Sequence, residues 1–147
     1  MQKHLGEQMD HSLIESGYFN HLDFRMVEWE PGLAVLEIEI GPQHLNRAKT
    51  LHGGVLTAMI DTVCGFSGCH CSVPGYMRKA VTLSLTTSFT GQVSSGIIRA
   101  VGRKRTRGRK IFVSSAEVFN AADEIIAIGE ATYRYRSGSE DSSGQPV

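Results

Sequence analysis

The chain has 147 residues, with 15 basic and 15 acidic side chains giving a formal net charge of zero and 41% hydrophobic residues. This is the profile of a single domain that can bury a core without disulfides or metal. No run reaches the ~18 apolar residues of a membrane span, and the N-terminus lacks the apolar stretch of a secretory signal, so a cytoplasmic protein without membrane contact is expected.

In chain order, residues 1–20 form an N-terminal segment with a short helix around Met9 to Ser16. Two strands follow, Asp23 to Glu30 and Gly32 to Ile40, separated by Pro31-Gly32. The second sets Ala34, Leu36, Ile38 and Ile40 against Glu37 and Glu39, a hairpin strand with one wet face. A loop then leads to an apolar helix from Gly53 to Cys69, which stops before Pro74-Gly75. Four strands complete the domain: Ala80 to Thr90, Ser95 to Arg105, Lys110 to Asn120 and Glu124 to Tyr135, with turn signals between them. In the first of these, period two puts Val81, Leu83, Leu85 and Phe89 on one face and Thr82, Ser84, Thr86, Ser88 and Thr90 on the other. The remainder, residues 137–147, is disordered by composition.

The helix GGVLTAMIDTVCGFSGC carries one charge, Asp61. Val55, Met59, Val63 and Phe66 form one apolar stripe and Leu56, Ile60 and Cys64 a neighbouring one, so little room is left for a solvated side. A carboxylate there faces a desolvation cost of several kcal/mol by rough estimate unless it has partners or a raised pKa. Asp61 is therefore the leading candidate for chemistry. The three cysteines, Cys64, Cys69 and Cys71, are clustered and odd in number, which argues against a disulfide framework. They read as buried thiols. No second cluster completes a tetrahedral site around Cys69, His70 and Cys71, so no metal is expected. Cys64 has no evident base to make it a nucleophile.

Charge is segregated: from Arg99 to Lys110 there are seven basic residues and no acid. Such a tract suits a polyanion, or serves as a solvated hairpin edge that discourages sheet aggregation. No helix-turn-helix and no interleaved aromatics accompany it, which argues against nucleic acid.

Two strands, one buried helix and a four-stranded antiparallel meander make an α+β pattern with a sheet wrapped around one long central helix. Within it, Asn46, His52-Gly53-Gly54 and Asp61 resemble the signature of the hotdog-fold acyl-CoA thioesterases, specifically the phenylacetic-acid-degradation, PaaI-like branch of the 4-hydroxybenzoyl-CoA thioesterase superfamily. The resemblance spans residues 21–136, and the segments VTLSLTTSF and RGRKIFVSSAEVFN resemble the next strands of that branch. The strand ending FTGQV departs from it, with Gln92 in place of the usual proline.

The resemblance implies hydrolysis of an aromatic or short- to medium-chain acyl-CoA to acid and CoA, with no cofactor beyond the CoA of the substrate. Physically, a helix N-terminus offers unpaired N–H groups for an oxyanion, and Gly53 and Gly54 admit a carbonyl closely. Asp61 is then a general base toward water or a nucleophile giving a mixed anhydride. Because Asp61 lies eight residues beyond Gly53, about 12 Å along the axis, the simplest site takes Gly53 from one subunit and Asp61 from another. A homodimer with shared sites is expected, and the resemblance adds a homotetramer. It also implies that His52 orients the site, that Asn46 binds near the water or thioester, and that Thr82 holds the water; the residues alone equally allow loop-satisfying roles for the first two and β propensity for the third. For the CoA phosphates it points to Arg107, Gly108, Arg109 and Lys110, with Arg103 to Arg105 in reserve. The alternatives are a hotdog hydratase or dehydratase, for which Asp61 and His70 lack the spacing, and a non-catalytic acyl-CoA-binding protein.

Overall fold

The computed structural model describes residues 13–147; the helix expected over Met9 to Ser16 falls largely outside them. Ser16 instead caps a short helix α1, Gly17–His21, its hydroxyl accepting from the Phe19 N–H. Strands β1 (Arg25–Glu30) and β2 (Leu33–Glu39) form the first hairpin, turned at Gly32 with φ of 82°. The central helix α2 runs Gly53–Gly68, followed by a two-residue strand β3, Tyr76–Met77. The long strands are β4 (Ala80–Phe89), β5 (Ile97–Lys104), β6 (Ile111–Phe119) and β7 (Ile125–Tyr135), and the chain closes with β8, Gln145–Pro146.

The large strands form one antiparallel six-stranded sheet in the order β1-β2-β5-β6-β7-β4. This is the hotdog fold: the sheet curls around α2, and the core is the seam between them. Met59, Ile60, Val63 and Cys64 of the helix meet Leu36, Ile38, Ile98, Ala100, Phe112 and Val118 of the sheet, all essentially inaccessible to solvent. Helix and sheet approach closely because β5 has no side chain where they cross. A Cβ on Gly102 would lie 2.5 Å from the Val63 carbonyl oxygen. The last carbonyls of α2 find partners beyond the helix ladder: the Phe66 carbonyl accepts from the Cys69 N–H and the Trp29 indole N–H (2.9 Å), and the Gly68 carbonyl from the Tyr135 hydroxyl (2.5 Å) and Arg78 (3.3 Å).

Two expectations require correction. The strand β4 does not keep one period-two phase. Its register with β7 slips between Thr82 and Ser84, a bulge at Leu83 that turns Thr82 to the same side as Leu85, Thr87 and Phe89. Val81 (41% exposed), Leu83 (53%) and Phe89 (56%) are not core residues, because β4 is the edge strand of the sheet. The tail, expected to be disordered, is anchored instead: β8 pairs with β3. Arg78 donates to the carbonyls of Ser139 (3.0 Å) and Glu140 (3.1 Å), and the Ser139 hydroxyl accepts from the Lys79 N–H (2.9 Å). Composition registers the lack of apolar residues; it does not register a guanidinium that satisfies the tail's backbone.

Of the clustered cysteines, Cys64 and Cys69 are buried free thiols, while Cys71 is half-buried and donates to the Ser143 carbonyl. Among the described residues no helix is long and apolar enough to cross a membrane.

Candidate active site

The helix α2 is not covered all round. Thr57, Asp61 and Gly65, at successive turns, form a half-buried stripe, widened on one side by half-buried Thr62 and Phe66. This narrow opening differs from the expectation that little room is left, and arises because the sheet ends at β4. Asp61 sits at its middle. One carboxylate oxygen, Oδ1, accepts from the Thr82 hydroxyl at 2.9 Å and from the Tyr133 hydroxyl at 2.8 Å. The bulge in β4 makes the Thr82 bond possible by aiming that side chain at the helix. Tyr133 was not singled out from sequence, although the alternation Ala131, Tyr133, Tyr135 in β7 marks the helix-facing side. Burial, and then the nearby Asp61 charge, push the Tyr133 phenol far above its ordinary value, so it is a permanent donor.

Asp61, Thr82 and Tyr133 open onto a chamber of about 440 Å³. Its apolar walls are Ile14, Phe19, Phe66 and Met77, and Arg78, Lys79 and Arg136 lie at its margin. No histidine lines it among the described residues. His70 lies past the end of α2, its ring edge-on to Trp29 at 5.3 Å; burial lowers its pKa, against the raising effect of Glu30.

The glycine end of α2 has its own smaller cavity, about 150 Å³, lined by Asn46, Gly53, Phe89 and Gln92 among others. Structure therefore brings Asn46 to Gly53, and adds Gln92, the residue at which the sequence departs from the family pattern. His52 is the N-cap of α2: its Nδ1 accepts from the Gly54 N–H at 2.8 Å. That bond occupies the Gly54 amide, whereas for the Gly53 N–H no acceptor is placed among the described residues. Asn46 is engaged locally. Its Oδ1 accepts from the N–H groups of Ala48 (2.9 Å) and Thr50 (3.2 Å), and its Nδ2 donates to the Thr50 hydroxyl (3.0 Å). The amide orders the loop that presents Gly53.

The two groups occupy different turns of one helix, so a single chain does not bring Gly53 to Asp61. Nor does it bring Arg107, Gly108, Arg109 and Lys110 to Gly53. They form the β5–β6 turn, which lies toward the opposite end of α2: the Lys110 carbonyl accepts from the Tyr135 N–H, and the Tyr135 hydroxyl reaches Gly68. Arg109 pairs loosely with Asp141 at 3.7 Å across solvent. Of the reserve residues, Arg103 and Arg105 are exposed. Lys104 folds inward over the rings of Phe112 and Tyr135, and burial lowers its pKa. Among the described residues no group of His, Cys, Asp or Glu is arranged to hold a metal.

The fold has counterparts in known proteins. Residues 48–127, more than half of the chain, match the thioesterase superfamily, and the chain belongs to that superfamily. It is 23% identical over 108 residues to human acyl-coenzyme A thioesterase 13, covering 73% of this chain and 76% of that protein. Among solved structures it resembles the Haemophilus influenzae thioesterase HI1161, with a TM-score of 0.77, 19% identity and coverage of 86% of this chain and 87% of that one. It also resembles the Escherichia coli PaaI protein from the phenylacetic acid degradation operon, with a TM-score of 0.74, 22% identity and coverage of 85% and 88%.

Proposed function

We propose that the chain is an acyl-CoA thioesterase of the PaaI-like branch, hydrolysing an aromatic or short- to medium-chain acyl-CoA to the free acid and CoA without metal or redox cofactor. The observation that carries this reading is Asp61: the one acid of α2, held at Oδ1 by Thr82 and facing an apolar chamber of about 440 Å³. Superfamily membership and the likeness to a human acyl-coenzyme A thioesterase support it.

In this reaction water adds to the thioester carbonyl carbon, the C–S bond breaks, and CoA leaves as its thiol. Asp61 takes the proton from the water and returns it to the sulfur; alternatively its carboxylate attacks the carbonyl itself, the C–S bond breaks to expel the thiolate, and water opens the mixed anhydride to two carboxyl groups, the proton released going to the thiolate. The Gly53 N–H stabilises the oxyanion, reinforced by the positive end of the helix. Because these groups lie at different turns of α2, the working unit is a homodimer in which Gly53 of one subunit faces Asp61 of the other, further paired as a tetramer. The exposed apolar edge of β4 and the uncovered stripe of α2 are the surfaces such a partner would cover. Arg107, Arg109 and Lys110 bind the phosphates of CoA. The hydratase reading is disfavoured by the absence of a histidine from the chamber among the described residues.

The test is a panel of aromatic and straight-chain acyl-CoAs with detection of released thiol. Turnover of at least one ester, reduced about 10²- to 10⁴-fold in Asp61→Asn, is expected for removal of an acid–base group. A panel turned over no faster than in buffer alone would end the proposal.

A further inference from the structure

We infer that Tyr133 is a positioning residue for the reaction: with Thr82 it fixes one oxygen of Asp61 and so selects the other, Oδ2, as the oxygen presented to water or thioester. This rests on the thioesterase reading of Asp61.

The geometry is specific. A carboxylate has two oxygens, and a rotation about its terminal torsion exchanges them at little cost. Here the exchange is blocked from two elements. Thr82 on β4 and Tyr133 on β7 both donate to Oδ1, at 2.9 and 2.8 Å, and neither hydroxyl is placed on Oδ2. Two donors on one oxygen draw its electron density into hydrogen bonds and leave Oδ2 with its lone pairs available.

Tyr133 cannot wander. It is 3% exposed, its ring stacks on Phe112 at 5.0 Å between centroids, and it passes beneath α2 where Gly65 leaves room. A Cβ at Gly65 would lie 3.3 Å from the Tyr133 ring. The hydroxyl also lies 2.5 Å from the Asp61 carbonyl oxygen, so its single proton is shared between the backbone and the side chain of the same residue. A packing residue would need only the ring. Phenylalanine would fill the stack, and the hydroxyl on a buried ring is left for Asp61 alone.

The charged and titratable groups around Asp61 are few. Cys64 follows it on α2, Tyr133 and Glu130 come from β7, and Glu15, Cys69, Arg78, Lys79 and Arg136 line the chamber it faces. Among the described residues, the side chains that donate to the Asp61 carboxylate are Thr82 and Tyr133, so loss of the phenol leaves Thr82.

The test compares Tyr133→Phe with Tyr135→Phe, a change on the same strand and face whose hydroxyl goes to Gly68 instead. On the best acyl-CoA, Tyr133→Phe is expected to lower kcat by roughly ten- to a hundredfold with KM unchanged, and Tyr135→Phe to leave both within about twofold. Should Tyr133→Phe fold poorly, 3-fluorotyrosine incorporation keeps the shape and strengthens the donor, and kcat is expected to stay at or above that of the unlabelled protein. An unchanged kcat in Tyr133→Phe, with only thermal stability reduced, would overturn the inference while leaving the thioesterase reading intact. No turnover of any acyl-CoA by the parent protein would overturn that reading instead.

Discussion

A shared site makes a quantitative demand on mixed dimers. Two variants disable opposite halves. Asp61→Asn removes the acid and keeps its shape. Gly53→Pro removes the N–H at the first position of α2, where proline is at home, and its demand on the preceding residue is met by His52 at φ −65° and ψ 133°. A ring carbon at Gly53 would press on Phe89 at 3.1 Å, but that ring is more than half exposed and can yield. Each homodimer alone should be impaired, about 10²- to 10³-fold for the oxyanion donor and up to about 10⁴-fold for the acid. Co-folded in equal amounts, half of the dimers pair one chain of each kind. In those, one site combines the intact Gly53 of the first chain with the intact Asp61 of the second, and the other site carries both defects. Recovery of about one quarter of wild-type activity follows from two-fold pairing. Thiol release by the mixture, with dimer composition read by native mass spectrometry, measures it. Mixed dimers no more active than the average of their parents would mean that each chain builds its own site, contrary to the spacing along α2.

Other expectations follow from the same geometry. Arg107→Ala with Arg109→Ala should raise KM about tenfold or more for each phosphate interaction removed, leave kcat within twofold, and matter less for a dephospho-CoA ester; equal effects on both esters would remove this turn from the phosphate site. Gly102→Ala forces a methyl to 2.5 Å from the Val63 carbonyl, an overpacking cost of about 1–3 kcal/mol. Calorimetry should show a Tm lowered by several degrees, and an unchanged Tm would contradict the close approach of helix and sheet. Burial pushes the Cys64 thiol up from 9.0 to about 12, helped by the Asp61 charge, and the Cys69 thiol to about 11. Both folded values exceed the unfolded ones, so this stability is fully present below about pH 9 and disappears as pH rises toward 11 and 12. Thermal melts should fall through that window, and less steeply in Cys64→Ala; a slope indifferent to the substitution would refute the assignment.

The central helix and the long strands were legible because each advertises its environment in its own residues. The alternation Ala34, Leu36, Ile38 marks a strand with a buried side, and GGVLTAMIDTVCGFSG marks a helix that the sheet covers over most of its surface. Asp61 was legible for the same reason, as a lone charge among apolar neighbours. What escaped depended on partners distant in the chain. The phase of β4 is set by its pairing with β7, which no local pattern reports. Tyr133 matters because it ends up 2.8 Å from a carboxylate 72 residues earlier. His52 and Asn46 lie beside Gly53, but their side chains bond nearby amides, a local competition that a motif does not display.

The extra residue at Leu83 gives β4 two independent alignments along one strand. Upstream of it, side chains are timed to the acid; downstream, Thr87 and Phe89 are timed to the glycine end of α2. That timing depends on how many residues the strand contains and hardly at all on which side chain Leu83 carries. Variation at this position is therefore tolerated so long as nothing is inserted or deleted, and the outward edge of the sheet is free to be resculpted for a different neighbour without disturbing the hydroxyl that meets Asp61.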